Sequence, residues 1–285
     1  MDAIDLHELN LQSLSGEDRN ALRVAVGLLE HTGLAARLAN ILGKPVELVG
    51  RTLPEGTAQA IAAATTTALN GALKVALSTI ENRPETASRL LHKALATASG
   101  AIGGSLGLVT APIEIPISTL IMLRSIADIA RSEGENLADP DAALSCVQVF
   151  ALGARSGNYD AADSGYFVLR GLLAKSVSEA ARFIAERGVV EEGAPVLVRF
   201  VAQVASRFGV VVSQKLAAQA LPIVGALGGA AVNYAFIDHF QDLARGHFVV
   251  RRLERTYGKE LVRAEYERMR EEAKTASALR SAAAS

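Results

Sequence analysis

The sequence predicts an all-α protein, and three observations support that fold class. The 285-residue chain is 50% hydrophobic but only 5% aromatic, without Trp, so its apolar side chains are mostly small and aliphatic, which suits closely packed helices. Apolar residues recur at helical spacing along most of the chain, and strand patterns are nearly absent. Clusters of Gly, Pro and Asn divide this pattern into segments of helix length. We expect a single compact domain of roughly eight to ten helices, with glycine-rich helices packed closely at its centre.

Gly and Pro residues mark the expected boundaries of the helices along the chain. Residues 1–16 are polar and predict a loose tail, so the domain is expected to cover residues 17–282. Asp139 and Pro140 are typical of a helix start, and the Asn82–Pro84 stretch of a helix end. The predicted helices are 17–43, 53–79, 84–100, 117–132, 142–152, 161–187, 194–220, 222–255 and 259–279.

Charge and cysteine content exclude several classes of protein. The 29 Lys and Arg residues balance 30 Asp and Glu, so the chain lacks the basic excess of a nucleic-acid-binding protein. The one cysteine, Cys146, excludes a disulfide framework and a cysteine-cluster zinc site, and its apolar neighbours predict a core thiol. Residues 1–10 are acidic and lack the basic and apolar regions of a signal peptide, so we expect a cytoplasmic chain.

Two long stretches without charge are the strongest local signal. Residues 94–113 form a run of 20 and residues 216–237 a run of 22, near the length of roughly 20 residues that crosses a bilayer. Both contain glycines at the small-xxx-small spacing of closely packed helices. These glycines are Gly100, Gly103, Gly104 and Gly107 in the first run, and Gly225, Gly228 and Gly229 in the second. Glycine inside an exposed helix costs about 1 kcal/mol relative to alanine, so we expect close packing or lipid contact to compensate.

Three interpretations of these runs stay open. They could be a buried helix pair that crosses closely, a helical hairpin that contacts a membrane, or a loop that holds a ligand. Ala, Thr and Ser dilute both runs below the Leu, Ile and Phe density of a typical span, which favours the buried pair. Ser105 lies in a G-x-S-x-G sequence, but the strand–turn–helix context of a nucleophile elbow is missing, so we interpret it as a chance match.

A polar group follows the first run. Glu114 lies between Pro112 and Pro116, and Arg124 and Asp128 share one face of the helix that follows. The favoured interpretation is a structural ladder of ion pairs on a mostly buried helix, because isolated charges among apolar neighbours must be paired. The alternative is a polar site for a lipid headgroup, a metal or a substrate.

A second polar group ends the second run. Asp238, His239 and Asp242 lie on one helix, and His239 and Asp242 share a face with Gly246, which would let another chain or a ligand approach. A buried histidine in an ion network is favoured over a metal or acid–base site, because the spacing matches no known metal motif. The sequence therefore predicts no metal with confidence, and it assigns no cofactor and no catalytic residue.

Several stretches resemble the EcsC protein family. They are GAIGGSLGLVTAPIEIPISTLIMLRSIADIARSEGE, CVQVFALGARS, DSGYFVLR, and the segment from SRFGVVVSQ to RRLERTYG. The resemblance covers about residues 55–260 and depends on the order of the motifs. Positions that match the characteristic stretches are Pro112, Glu114, Pro116, Arg124, Asp128, Gly225, Gly229, Asp238, His239 and Asp242.

What the resemblance implies is limited to context. The family is mostly bacterial and is named for a protein encoded beside an ABC-type transporter linked to secretion. It has no established catalytic activity, cofactor or ligand, so no catalytic role transfers to this chain.

The sequence and the resemblance together predict a cytoplasmic protein at the inner face of a membrane, acting as a non-enzymatic accessory or lipid-binding factor. Its expected partner is membrane lipid or a membrane protein, such as an ABC-type transporter, and not nucleic acid. We expect the glycine-rich runs to supply the apolar contact and the two polar groups to converge, with Glu114 within about 15 Å of His239. The alternatives are a metal- or carboxylate/His-dependent hydrolase of a lipid or amphiphile, and a soluble helical scaffold. The oligomeric state is not predicted.

Overall fold

Helices make up the regular structure of the part of the chain that the structure describes. The computed structural model describes residues 13–30, 33–43, 56–80, 111–154, 165–188, 194–220 and 225–283. Within these ranges there is no strand, so the all-α prediction is confirmed. The nine helices of the described ranges are α1 (Gly16–Glu30), α2 (Leu34–Leu42), α3 (Thr57–Ile80), α4 (Ala111–Ser132), α5 (Pro140–Leu152), α6 (Tyr166–Arg187), α7 (Pro195–Gln219), α8 (Gly225–Tyr257) and α9 (Lys259–Ala283).

Two predicted boundaries were wrong. The predicted first helix is two helices, because Gly33 has an extended backbone (ψ 167°) and interrupts the helical path before α2. Helix α4 begins at Ala111 rather than Ile117, with Pro116 inside it. A proline in the first turn of a helix loses no intrahelical hydrogen bond, but Pro116 is the sixth residue of α4, so the helix continues through it with one backbone hydrogen bond missing. The helix predicted over residues 84–100 lies outside the described residues.

Contacts between Cα atoms divide the chain into two compact units. One contains residues 32–244, and the other combines residues 1–31 with residues 245–285, so α8 contributes to both.

The core of the unit 32–244 surrounds α5. Every residue from Ala142 to Leu152 is buried, as expected for a helix that is covered on all sides. Helices α3, α4, α6 and α7 all pack against α5, and α7 also packs against α2, α3 and α6. Four phenylalanine rings join α5, α7 and α8, with centroids 4.9 to 6.3 Å apart; they are Phe150, Phe208, Phe236 and Phe240.

Close approach of helices occurs at two glycines. A Cβ atom at Gly153 would lie 2.9 Å from the ring of Phe240, and one at Gly246 would lie 2.6 Å from Cγ of Leu29. Both distances are too short for a real Cβ, so these positions need glycine. At Gly246 the element that approaches is α1 of the same chain, whereas the sequence predicts the approach of another chain or a ligand there.

The start of α1 organises the smaller unit. Ser15 caps the helix by accepting a hydrogen bond from the backbone N–H of Asp18 at 3.1 Å. The Asp18 carboxylate accepts hydrogen bonds from the Tyr257 hydroxyl at 2.7 Å and from Arg252 at 2.9 Å. These donors lower the pKa of Asp18, the Tyr257 hydrogen bond having the largest effect. Near the other end of α1, Glu30 accepts a hydrogen bond from the Tyr266 hydroxyl at 2.7 Å.

Candidate functional site

A buried ion pair joins α4 to α7. The ammonium of Lys215 donates to Oε1 of Glu114 at 2.6 Å. Lys215 is only 2% exposed, and its Nζ lies 4.8 Å from the centroid of the Phe236 ring. Burial lowers the pKa of Lys215, while the Glu114 carboxylate acts in the opposite direction by stabilising the charged form. A charged pair this deep must be satisfied by its partner, because water cannot reach the ammonium.

Lys215 is a site residue that the sequence interpretation missed. The sequence shows it as the charge that ends an apolar segment, and nothing there reveals Glu114 as its partner. One signal was available: Lys215 lies four residues after Val211 and seven after Phe208, in the buried stripe of α7. A lysine in an apolar stripe predicts a buried partner.

Amide side chains extend this ion pair toward α8. Gln219 Nε2 lies 3.5 Å from Glu114 Oε1 and 3.5 Å from Asn233 Oδ1. Further along α4 and α8, Gln241 donates to the hydroxyl of Ser125 at 2.9 Å. We call these six residues the polar seam: Glu114, Ser125, Lys215, Gln219, Asn233 and Gln241.

The polar seam contains an acceptor without a donor. Oε1 of Gln219 is buried and accepts no hydrogen bond within the described part of the chain. Glu114 is 28% exposed, so one side of the seam is accessible. A buried acceptor beside an accessible carboxylate is a combination that a hydroxyl or amine group can satisfy.

The second predicted polar group is held by a residue far away in sequence. Arg37 of α2 donates to Asp238 at 3.0 Å and to Asp242 at 2.7 Å. One guanidinium thereby bridges two carboxylates that are one helical turn apart. Arg37 was not among the predicted site residues, and this geometry accounts for the spacing of the two aspartates.

His239 lies inside a helix interface. It is 5% exposed, and its ring packs against Phe240 with centroids 5.3 Å apart. A Cβ at Gly153 would lie 3.3 Å from His239 Nε2, so α5 approaches the ring closely. In the ranges the structure describes, no group of three or more His, Cys, Asp or Glu residues is placed to hold a metal ion.

The structure separates the other two predicted residues of α4 from the buried pair. Arg124 and Asp128 are exposed, and Asp128 pairs with Arg131 at 3.1 Å on the surface. Glu114 is connected through Gln219 to Asn233, which lies on the same helix as His239. The predicted approach of Glu114 to within about 15 Å of His239 stays a prediction.

The glycine-rich runs have different outcomes. Gly100, Gly103, Gly104 and Gly107 lie outside the described residues. The second run lies on two helices, because α7 ends at Gln219 and α8 begins at Gly225, so it is not one membrane-length helix. A Cβ at Gly229 would meet nothing within 4 Å, so no described neighbour approaches Gly229 as a small-residue crossing would require.

Two other helices are long and apolar enough to cross a membrane by length and composition. They are Thr57–Ser78 in α3 and Pro195–Gln219, which is α7. Half of the α3 window is buried, and 39% of the α7 window, and the core helix of a soluble protein passes the same test. The informative feature is therefore what these helices expose.

Both helices expose faces with almost no charge, which we call the uncharged faces. The α3 face consists of Ala58, Gln59, Ala60, Ala62, Ala63, Thr66, Thr67 and Asn70, and the first charge is Lys74. The α7 face consists of Val198, Ala202, Gln203, Ser206 and Val210, with Arg199 near its start. Thr66 donates to the carbonyl of Ala62 and Ser206 to that of Gln203, both at 2.9 Å, so their hydroxyls are satisfied within the helix.

Comparison with known proteins identifies the family. The family model described as the EcsC protein family matches residues 28–253, which include α2 to α7 and most of α8. No curated protein and no solved structure matches the chain. The match covers most of the chain, and the protein belongs to the EcsC protein family.

Proposed function

We propose that this protein is a cytoplasmic, non-enzymatic accessory or lipid-binding factor that associates with the inner face of a membrane. The observation that carries the proposal is the pair of uncharged faces on α3 and α7. Helix α9 of the same chain shows the usual alternative, with exposed charges such as Arg263, Glu271 and Lys274. Because water-facing helices normally expose charges, the faces of α3 and α7 favour contact with a surface other than water.

The chemistry of these faces favours the interfacial region of a bilayer. Alanine, valine and internally bonded hydroxyls lose little when water is removed, which lowers the free energy of transfer from water. Gln59, Asn70 and Gln203 keep polar amides, which are better satisfied among headgroups than in hydrocarbon. A peripheral position therefore fits better than a span.

The polar seam supports the lipid-binding part of the proposal. Glu114 is accessible, and the Gln219 carbonyl oxygen has no donor among the residues that the structure describes. Lipid headgroups offer hydroxyl or amine donors of this kind. The partner in this proposal is membrane lipid or a membrane protein such as an ABC-type transporter, and the transporter part is supported only by family membership.

Flotation with protein-free liposomes tests the proposal. We expect the full chain to float with the vesicles, and in cells to sediment with membranes and to be released by carbonate. A variant with Ala63→Glu and Val210→Glu, which places one charge on each uncharged face, is expected to bind about tenfold more weakly. The matched control is Ala273→Glu on the exposed surface of α9.

Two results would contradict the proposal. One is a chain that stays in the supernatant in low salt, both with vesicles and in cell lysates. The other is equal loss of binding in the α9 control and in the double variant. Binding to a membrane fraction but not to protein-free vesicles would replace lipid with a membrane protein as the partner.

A further inference from the structure

We propose that the hairpin of α6 and α7 inserts one end into the headgroup and acyl-chain boundary of a bilayer, with the water boundary between Leu172 and Lys175. This inference rests on the proposed membrane association and specifies which part of the chain enters the lipid. It commits to lipid as the occupant of this surface.

An ion pair sets the register of the hairpin. Helices α6 and α7 pack together, and Arg199 of α7 pairs with Glu179 of α6 at 3.9 Å. With the two helices antiparallel, as their short connection requires, this pair places Val168 at about the level of Val210 and Leu172 at about the level of Ser206. The start of α6 and the second half of α7 thus form one end of the hairpin.

One stripe of α6 changes its chemistry along its length. Residues spaced three and four apart on this face are Val168, Leu172, Lys175, Glu179, Arg182 and Glu186. The first two are apolar and the remaining four are charged. We call the part of the hairpin that contains Val168, Leu172 and Val210 the uncharged end. The charged end is the opposite part of the hairpin, which contains Lys175, Glu179, Arg182 and Glu186 of α6 and Arg199 of α7.

The apolar side chains of the uncharged end are unusually exposed. Val168 is 45%, Leu172 60% and Val210 44% exposed. Three of the nine large hydrophobic residues exposed in the described part of the chain are therefore at this end. A fourth, Val198, lies beside Arg199 at the charged end.

On α6 the charge nearest the uncharged end lies away from this stripe, whereas on α7 the partly exposed Arg207 lies three residues before Val210 and so close to it on the helix surface. Between Tyr166 and Ala174 the one charged residue is Arg170, which is two residues from Val168 and Leu172 and so points to the other side of the helix. Its guanidinium is 5.9 Å from the Tyr166 ring centroid and 6.0 Å from that of Phe167. Tyr166 is itself only 2% exposed, so its contact with Arg170 lies against the body of the protein and not on the stripe.

The dimensions match shallow insertion. Along the helix axis Lys175 is about 4.5 Å from Leu172 and about 10 Å from Val168, at 1.5 Å per residue. Interfacial helices bury their apolar faces roughly 5–10 Å deep, so Val168 can reach the acyl boundary while the ion pairs of the charged end stay in water. Those pairs, Lys175 with Glu179 and Arg182 with Glu186, combine both signs, so the contact is apolar rather than electrostatic.

Fluorescent labels test the insertion in the full chain. The native Cys146 is 2% exposed, so an introduced surface cysteine reacts selectively; a Cys146→Ser background serves as a check. An environment-sensitive dye is attached at Leu172→Cys or Val210→Cys. Ala185→Cys, at the charged end, and Leu279→Cys, an equally exposed leucine on α9, are the matched controls.

With phosphatidylcholine vesicles we expect blue-shifted emission and quenching by brominated acyl chains at positions 172 and 210, and neither at 185 or 279. High salt should leave the signals unchanged. Leu172→Asp is expected to weaken vesicle binding about tenfold and Leu279→Asp less than twofold, with melting curves like that of the parent chain.

Three results would overturn the inference. Flotation with vesicles but no response at 172 and 210 would place the contact elsewhere while leaving membrane association intact. Binding only to anionic vesicles, abolished by salt, would mean that charge rather than apolar insertion drives it. A blue shift at 172 that follows protein concentration without vesicles would assign the surface to a second copy of the chain. Failure to float at all would instead refute the proposed function itself.

Discussion

Replacing Glu114 with glutamine tests whether the buried ion pair stabilises the fold. The change leaves the ammonium of Lys215, 2% exposed, without its carboxylate. Breaking a buried pair from one side costs about 3–5 kcal/mol. Lys215 can limit that loss by releasing its proton, and at pH 7 this costs at most about 4.8 kcal/mol from an ordinary pKa of 10.5.

The same reasoning fixes the sign of the pH dependence. In the folded variant the pKa of Lys215 lies below its value in the unfolded chain. At a pH between these two pKa values the unfolded chain therefore binds more protons than the folded chain. Stability of the variant should therefore rise with pH, by about 1.4 kcal/mol per unit. At pH 9 the cost of deprotonating Lys215, which sets the upper limit on the loss of stability, falls to about 2 kcal/mol.

Urea unfolding followed by circular dichroism at pH 7 and pH 9 measures both effects. The control is Glu179→Gln, which breaks an exposed contact of 3.9 Å and should change the free energy of unfolding by less than about 0.5 kcal/mol. Equal losses in the two variants, or a loss at Glu114 that does not shrink at pH 9, would refute the reasoning.

Two further predictions concern other parts of the chain. The pKa of Asp18 is lowered, chiefly by the Tyr257 hydrogen bond, so its contribution to stability is complete above the ordinary value of 3.8 and is lost as pH falls through the folded value. Near pH 6 the free energy of unfolding of Asp18→Asn should therefore be lower than that of the parent chain, and acid unfolding of the variant should begin at a higher pH. Identical acid profiles would contradict this. Gly153→Ala should lower the free energy of unfolding by about 1–3 kcal/mol, because the new methyl would lie 2.9 Å from Phe240. Gly229→Ala, with no described atom within 4 Å of the new methyl, should stabilise the chain by up to about 1 kcal/mol, and similar thermal shifts in the two variants would count against the packing argument.

Local chemistry made most helix boundaries predictable from the sequence. Asp139 and Pro140 mark the start of α5, and the cap is seen where the Asp139 side chain accepts from the N–H of Asp141 at 3.0 Å. The start of α4 was not predictable in this way. The two prolines, Pro112 and Pro116, were expected to precede the helix, but α4 begins at Ala111 and continues through Pro116, although that residue cannot donate a backbone hydrogen bond.

The site was only half visible, because partners distant in sequence leave no periodic signal. Glu114 could be identified from its two flanking prolines, but its partner Lys215 is 101 residues away. Arg37 lies 201 residues before Asp238. Such pairings depend on which helices pack together, and composition and spacing do not determine that.

The apolar surfaces were missed for a related reason. A search for uninterrupted uncharged stretches finds the glycine-rich runs but passes over α7, because Arg199, Arg207 and Lys215 interrupt it. In the structure Lys215 is buried and Arg207 only partly exposed, so the outer face of α7 carries little charge. A helix whose sequence contains charged residues exposes a charged surface only if those side chains point outward, and the sequence does not show in which direction each side chain points.

The complete burial of α5 has a consequence for how the protein is made. Its covering helices α3 and α4 precede it in the chain, but α6, α7 and α8 follow, and the α8 ring that packs against Phe150 belongs to Phe240. At about 5–20 residues per second, a ribosome needs roughly 4–18 s to proceed from Leu152 to Phe240. During that interval α5, which has no solvent-facing side in the fold, has been synthesised, but about half of the helices that pack against it have not. The nascent chain then presents its most aggregation-prone segment, and a chaperone that binds apolar sequences has its clearest target there.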